Sequence, residues 1–254
     1  MDHVRSVAVN VLVPAGAAFD PDGRLGVAGV LAELITRGAG SRDSRQLSLA
    51  LDNLGVDRTE GAGVVNLRLG GSALARNVLP LLDIYADILL RPHLPEEELE
   101  PVQSLALQEL EGLEDSPQGK VMVELHRRYY PPPLNKDRRG RAEDLEALTI
   151  DAVREQYRRF VRPNKAIISV AGNVAWEPLK ERVEKLFGDW APGDVPDVVP
   201  GDHRPRSEHL SKDSAQTQIA FAYPSVPVGH PDYFAARAAE GVLSGGMSAR
   251  LFTE

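Results

Sequence analysis

The chain of 254 residues contains no cysteine, and this absence excludes several kinds of protein at once. It can hold neither a disulfide framework nor a cysteine-ligated zinc ribbon, and it offers no thiol nucleophile. No apolar run reaches the length of a membrane span, so we expect no membrane partner. The formal net charge of -8 leaves no basic surface, so we expect no nucleic-acid partner either.

Several short signals are also missing. The first residues lack a basic region followed by an apolar stretch, so no signal peptide is visible. This favours a cytoplasmic location, and a periplasmic one stays open if further residues precede Met1. No G-x-S-x-G motif occurs, and no two of the six histidines are four residues apart. The glycine pairs at 70–71 and 245–246 are not part of a phosphate-binding loop, and we interpret both as turns.

The composition that remains is that of an ordinary globular protein. Hydrophobic residues make up 43% of the chain and charged residues 26%, which allows a substantial core. The length suits one large domain and the beginning of a second.

Apolar periodicity predicts strands and helices in the first part of the chain. Alternation of apolar and polar residues predicts strands over residues 6–13 and 64–69. Helical spacing predicts helices over residues 26–38, 44–54, 74–90 and 96–114.

The elements that follow are marked by local signals. Residues 142–160 are predicted to form two short helices, with Thr149 as the N-cap of the second. β-branched residues over 166–171 predict a buried strand, which Gly172 ends. An amphipathic helix is predicted over residues 177–187.

A change of composition predicts a second domain. Residues 191–209 are rich in proline and almost without periodicity, which is typical of a linker. A strand predicted over 216–223 and a helix over 232–243 then begin the order of elements again. We therefore predict an α+β protein with a domain over residues 1–190, a linker over 191–209 and the start of a related domain over 210–254.

Six ordered segments of the chain resemble the M16 zinc metallopeptidases, the insulinase, pitrilysin and mitochondrial processing peptidase family. They are residues 26–38, 44–56, 81–100, 107–117, 161–174 and 243–252. The first, GVAGVLAELITRG, resembles the family helix written G-x-A-H-x-x-E-H and aligns without a gap on Gly26, Ala28 and Gly38. The resemblance implies the LuxS/MPP-like fold, in which a mainly antiparallel sheet is backed by helices.

The resemblance also implies that the metal site is degenerate. In the family motif two histidines hold zinc and the glutamate polarises its water. In this alignment Gly29 takes the place of the first histidine ligand, Ala32 that of the glutamate base and Glu33 that of the second histidine ligand. Glu109 takes the place of the third metal ligand. We therefore expect no catalytic residue and no bound cofactor in this chain, with Glu109 as a vestige and zinc only in a partner.

Two interpretations of the surviving carboxylates stay open at this point. Glu33 and Glu109 could face each other and hold calcium, magnesium or manganese, which prefer oxygen ligands. Alternatively, they are paired with an arginine, such as Arg37. Two carboxylates alone rarely hold a metal against water, which favours the ion pair.

For function, the resemblance implies a non-catalytic subunit. It would pair with an M16 subunit bearing H-x-x-E-H, or with a second copy, to enclose a chamber for peptide substrates. The alternatives are a stand-alone metallohydrolase that uses Glu33 and Glu109, and a structural scaffold like the family's core subunits of respiratory complexes. The family's substrate-binding Arg and Tyr follow a segment like GGMSARLF, and this sequence stops before them at Glu254. We also expect the chain to be a piece of a longer protein, because the family's opening strand is absent ahead of Ser6.

Overall fold

The computed structural model describes residues 1, 3–202, 207–211 and 216–253. The chain divides into two compact units, Met1–Gln218 and Ile219–Glu254. Of the predicted linker, residues 191–202 contain no helix or strand, and residues 203–206 lie outside the described part. The predicted domain boundaries stay a prediction.

The described residues combine a small sheet with many helices. In the first unit the elements are, in chain order, β1 (Ser6–Val13), α1 (Val27–Leu34), β2 (Gly38–Ala39), β3 (Arg42–Asp43), α2 (Ser44–Asn53), β4 (Asp57–Ala62), β5 (Leu67–Leu74), α3 (Val78–Leu90), α4 (Leu99–Glu114), α5 (Pro117–Tyr129), α6 (Ala142–Glu146), α7 (Ile150–Phe160), β6 (Ile167–Gly172) and α8 (Trp176–Phe187). The second unit contains α9 (Tyr233–Ser244) and α10 (Arg250–Thr253). Single 3-10 turns occupy Ala17–Phe19, Ala75–Asn77 and Glu96–Glu98.

The main sheet has the strand order β4-β5-β1-β6, and every neighbouring pair is antiparallel. In β1 the valines Val7, Val9, Val11 and Val13 are buried, and the residues between them are exposed or half-buried. Successive side chains of a strand point to opposite faces, so the core lies on one face of the sheet. Buried residues of α1 and α3 join the same core. This confirms the predicted α+β class, with an antiparallel sheet backed by helices.

The glycines at 70 and 71 lie inside β5, so the predicted turn is wrong. The Tyr85 hydroxyl of α3 donates a hydrogen bond of 2.9 Å to the Gly70 carbonyl oxygen. A Cβ at Gly71 would lie 2.4 Å from the Tyr85 hydroxyl oxygen. Glycine is therefore required here because a buried tyrosine of the covering helix approaches the strand closely.

Two further strand predictions need correction. The strand predicted over 64–69 is β5, which runs on to Leu74, so α3 starts at Val78 rather than at 74. Its partner β4 was not predicted, because its sequence DRTEGA is that of a polar edge strand without apolar alternation. β6 was predicted as buried, but its residues alternate between exposed and half-buried, because it forms the other edge of a sheet covered on one face.

The helix predicted over residues 232–243 is confirmed as α9, but the strand predicted over residues 216–223, a segment that spans the division between the two units, is wrong. All of these residues are described, and none lies in a strand. A strand needs a hydrogen-bonded neighbour, and among the described residues none pairs with this segment.

The predicted cap of α7 is confirmed. The Thr149 hydroxyl accepts a hydrogen bond of 3.4 Å from the backbone N–H of Ala152. At the start of α2, Asp43 and Gln46 form a reciprocal capping box. Among the helices of the described ranges, none is long and apolar enough to cross a bilayer.

Candidate functional site

A cavity of about 510 Å³ lies where α1, α4 and β4 come together. Its remaining wall is the 130–141 loop, which joins α5 to α6. The residues that the sequence aligned with the family's metal ligands all line this cavity. They are Gly29, Ala32 and Glu33 of α1 and Glu109 of α4.

Helix α1 is fixed at its start by a buried carboxylate. The two carboxylate oxygens of Asp20 accept hydrogen bonds from the backbone N–H groups of Gly26, at 2.7 Å, and Ala28, at 3.1 Å. Burial raises the pKa of Asp20 to about 7, although these two bonds and the nearby Lys136 oppose the shift. The carboxylate therefore satisfies donors that an isolated helix start leaves unpaired.

The 130–141 loop closes over the face of α1 that carries Gly29. A Cβ at Gly29 would lie 2.6 Å from the carbonyl oxygen of Arg138. Gly140, with a φ of 72°, packs so closely that a Cβ there would lie 2.1 Å from the Leu25 carbonyl oxygen. Lys136 also donates a hydrogen bond to the backbone carbonyl of Asp20. The place of the first metal ligand is thus filled by loop backbone.

Glu109 is held by an arginine of the same loop. The Arg138 guanidinium donates from Nη2 to Oε1 at 2.6 Å and from Nη1 to Oε2 at 3.4 Å. Such a two-point pair fits the planar geometry of both groups. Arg37 was the arginine suggested from the sequence as a partner of Glu33 and Glu109. Its Nη1 instead lies 3.8 Å from Oε2 of Glu98. Sequence reasoning missed Arg138 because it lies in a loop, 29 residues beyond Glu109.

Glu60 of β4 is a further cavity residue that sequence reasoning missed. Its Oε1 is buried and has no hydrogen-bond partner among the described residues, and the nearest cation, Nε of Arg58, is 3.9 Å away. Burial raises the pKa of Glu60; the charge of Arg58 lowers it, and the charge of Glu33 raises it further. No sequence signal marks this residue, because it lies in the edge strand that the periodicity did not reveal.

The residues of the cavity do not fit a zinc ion. Gly29 and Ala32 have no donor atom, and the carboxylate of Glu109 is bound to Arg138. Over the described part of the chain, no group of three or more His, Asp or Glu residues is placed to hold a metal. The chemistry available here is therefore that of carboxylates and guanidinium groups.

Two family models match the chain. The model described as Insulinase (Peptidase family M16) covers residues 2–138, and the Peptidase M16 inactive domain covers residues 147–254. The first match contains α1, β4 and α4 and therefore most of the cavity wall.

Similar proteins have been recognised in bacteria and in yeast. An "Uncharacterized zinc protease" of Rickettsia bellii is 24% identical over 99% of this chain, which spans 62% of that protein. The probable mitochondrial-processing peptidase subunit beta of Schizosaccharomyces pombe is 26% identical over 95% of this chain and 54% of its own length. The chain thus spans about three-fifths or less of these two curated relatives.

Solved structures have the same fold. The peptidase M16 inactive domain from Pseudomonas fluorescens superimposes with a TM-score of 0.81 at 17% identity, over 100% of this chain and 63% of that one. A protease from Helicobacter pylori gives a TM-score of 0.80 at 19% identity, again over 100% of this chain and 63% of that one. Since the insulinase model alone covers more than half of the sequence, the chain belongs to peptidase family M16.

Proposed function

We propose that this chain is a non-catalytic subunit of an M16 peptidase and forms one wall of a chamber that encloses peptide substrates. Its partner would be an M16 chain bearing H-x-x-E-H, or a second copy of this chain. Zinc would be bound by the H-x-x-E-H partner. The chain itself would hold neither zinc nor another cofactor.

One observation carries this proposal: the positions aligned with the family's metal site line a single cavity, but Gly29 and Ala32 have no donor atom and Glu109 is bound to Arg138. Gly29 faces the Arg138 carbonyl oxygen, and the Glu109 carboxylate is held by the Arg138 guanidinium. We expect no zinc-activated water at such a site, because only Glu33 among the aligned positions keeps a carboxylate that is not bound to Arg138, and Ala32 replaces the general base.

The intact fold supports a role other than zinc chemistry. The fold matches a solved peptidase M16 inactive domain and a solved bacterial protease at TM-scores near 0.8. One similar protein is named as a subunit, the probable mitochondrial-processing peptidase subunit beta of Schizosaccharomyces pombe. In a two-chain chamber, contacts made by this chain would orient the peptide at the partner's zinc site.

The test combines this chain, in its full natural length, with the H-x-x-E-H-bearing M16 chain of the same organism. We expect gel filtration to show a one-to-one complex and cleavage of unstructured peptides well above that of either chain alone. Elemental analysis should find less than stoichiometric zinc in this chain and about one zinc in the partner. A zinc-bearing chain that is fully active alone and never associates would refute the proposal.

Two alternatives give different results in the same experiment. A stand-alone metallohydrolase through Glu33 and Glu109 would cleave peptides without a partner and lose activity with a chelator. The ion pair of Glu109 with Arg138 weakens support for that reading. A structural scaffold would co-purify with a larger assembly and leave the partner's peptidase activity unchanged.

A further inference from the structure

We propose that residues 190–201 of the linker form a strap that keeps the 130–141 loop closed against α1, so that release of the strap lets the loop move away. We call these residues the linker strap. The movement takes place within one chain, so it goes beyond the proposed function and requires neither a partner nor a metal.

The 130–141 loop has the structure of a segment that can move as one piece. Three backbone hydrogen bonds of 3.0–3.3 Å close turns inside it, from Leu134 to Pro131, from Lys136 to Pro133 and from Gly140 to Asp137. None of its residues is buried. A segment with internal hydrogen bonds and little buried surface can open locally while the rest of the protein stays folded.

Few polar contacts hold this loop against α1 and α4. Lys136 donates a hydrogen bond to the backbone carbonyl of Asp20, and Arg138 is paired with Glu109. Both members of that ion pair are nearly half exposed, so the pair adds little to the stability of the closed loop. One additional hydrogen bond can therefore change the fraction of molecules in which the loop is open.

The linker strap supplies such a bond at the start of the loop. The backbone N–H of Gly201 donates a hydrogen bond of 3.1 Å to the carbonyl oxygen of Pro132. Further along the linker, Glu208 forms an ion pair with Arg128, in the last turn of α5. The linker thus contacts the loop, and the helix that leads into it, at the end where the loop begins.

The linker strap is fixed to the first unit before it reaches the loop. The backbone N–H of Gly193 donates a hydrogen bond of 2.8 Å to Oδ1 of Asn164, which lies between α7 and β6. Asp197 forms an ion pair with Lys165, the residue after Asn164. Two apolar side chains of the strap are half-buried against the hydrophobic core, those of Trp190 and Val195.

The composition of the linker strap makes it stiff. Every fourth residue is a proline, at positions 192, 196 and 200. Proline fixes φ and reduces the freedom of the released chain, and proline-rich linkers are semi-rigid. A stiff strap that is held at Asn164 keeps Gly201 close to Pro132, so loss of either attachment weakens the hold on the loop.

Opening of the loop would uncover the degenerate site. In the closed position the Arg138 carbonyl oxygen lies so close to Gly29 that a Cβ there would be 2.6 Å from it. With the loop moved away, this face of α1 becomes accessible. A binding event that draws the linker away from the first unit would therefore control access to the cavity.

The test is limited digestion of the complete chain with trypsin, followed by mass spectrometry. Trypsin cuts after lysine and arginine, and the loop contains four such residues, Lys136, Arg138, Arg139 and Arg141. Cleavage of a folded protein follows the population of the locally open form when opening is fast. The arginines of α7 are the internal reference, because cuts there require unfolding of a helix that packs into the core.

Three variants of the linker isolate the hydrogen bond. Gly201→Pro removes the N–H and should raise cleavage within the loop about two- to tenfold, the effect of one neutral hydrogen bond. Gly201→Ala keeps the N–H, and its Cβ would meet nothing closer than 3.5 Å, so cleavage should not change. Val199→Pro also places a proline beside Pro200, but within the described part of the chain the Val199 N–H makes no hydrogen bond. Cleavage should not change there either.

A fourth variant tests the linker strap away from the loop. Asn164→Ala removes the acceptor of the Gly193 N–H and should also raise cleavage within the loop by at least about twofold, with no rise in α7. Unchanged cleavage within the loop in either Gly201→Pro or Asn164→Ala would overturn the proposal.

Two other outcomes would also contradict the strap. An equal rise in the loop and in α7 would mean that the linker supports the whole unit rather than the loop. A rise in Gly201→Ala or Val199→Pro as large as that in Gly201→Pro would mean that the hydrogen bond is not the cause. Because no partner chain takes part, these failures are distinct from a failure to form the two-chain complex in gel filtration.

Discussion

An alanine at position 29 should destabilise this chain, even though alanine is the best helix former. In an open helix interior, replacing glycine by alanine stabilises a protein by about 1 kcal/mol. At Gly29 the new Cβ would lie 2.6 Å from the Arg138 carbonyl oxygen, well inside a normal contact. The 130–141 loop must move or α1 must shift to relieve this overlap.

The size of the effect follows from two opposing terms. Overpacking of this kind costs about 1–3 kcal/mol, which outweighs or cancels the gain in helix propensity. We expect Gly29→Ala to lower the free energy of unfolding by about 0–2 kcal/mol. Gly112, in the interior of α4, is a matched control because a Cβ there would meet nothing within 4 Å. Gly112→Ala should therefore stabilise the chain by about 1 kcal/mol.

The assay is thermal and urea unfolding of the two variants beside the unchanged chain. The two glycine variants should differ by about 1–3 kcal/mol, which corresponds to roughly 2–12 °C in Tm for a chain of this size. If Gly29→Ala raises the Tm as much as Gly112→Ala does, the loop does not lie against α1. The structural account of the degenerate site would then be wrong.

Further predictions concern the metal, the ion pair and pH. The triple change Gly29→His, Ala32→Glu and Glu33→His should not yield stoichiometric zinc by elemental analysis, because the loop backbone occupies the place of the first imidazole; about one zinc per chain would contradict this. Arg138→Gln should change the free energy of unfolding by less than about 1 kcal/mol in urea titrations, since both partners of that ion pair are nearly half exposed. Asp20, with a folded pKa of about 7 against an ordinary value of 3.8, binds a proton in the folded chain at a pH where the unfolded chain has lost it. Its contribution to stability therefore falls as pH rises from about 4 to 7, by up to about 4 kcal/mol, and Asp20→Asn should remove this dependence in unfolding experiments at pH 5 and 8.

The sequence predicted elements well where one face of a strand or helix is buried. β1 spans the residues predicted for it, because every second residue of this strand is a buried valine. α2 and α9 have nearly their predicted ends because their apolar positions follow the helical period. β4 escaped detection because a polar edge strand carries no such pattern. The segment over 216–223 carries the pattern, but no described strand pairs with it.

The candidate site was predictable only in part. Helical spacing places positions 29, 32 and 33 on one side of α1, and the family resemblance added position 109. Arg138 and Glu60 could not be found in this way. Their approach to the cavity depends on a loop and an edge strand, and on contacts between residues far apart in the chain.

The ion pair and the loop backbone contribute differently to the shape of the cavity. Arg138 and Glu109 are exposed by 46% and 43%, and a pair of this kind contributes at most about 1 kcal/mol. The close contacts of the Arg138 carbonyl with Gly29 and of Gly140 with Leu25 leave no room for a side chain. These backbone contacts are therefore the stronger constraint on the wall. Because the shape of the cavity depends on backbone packing, a change of charge at Glu109 or Arg138 should have little effect on folding.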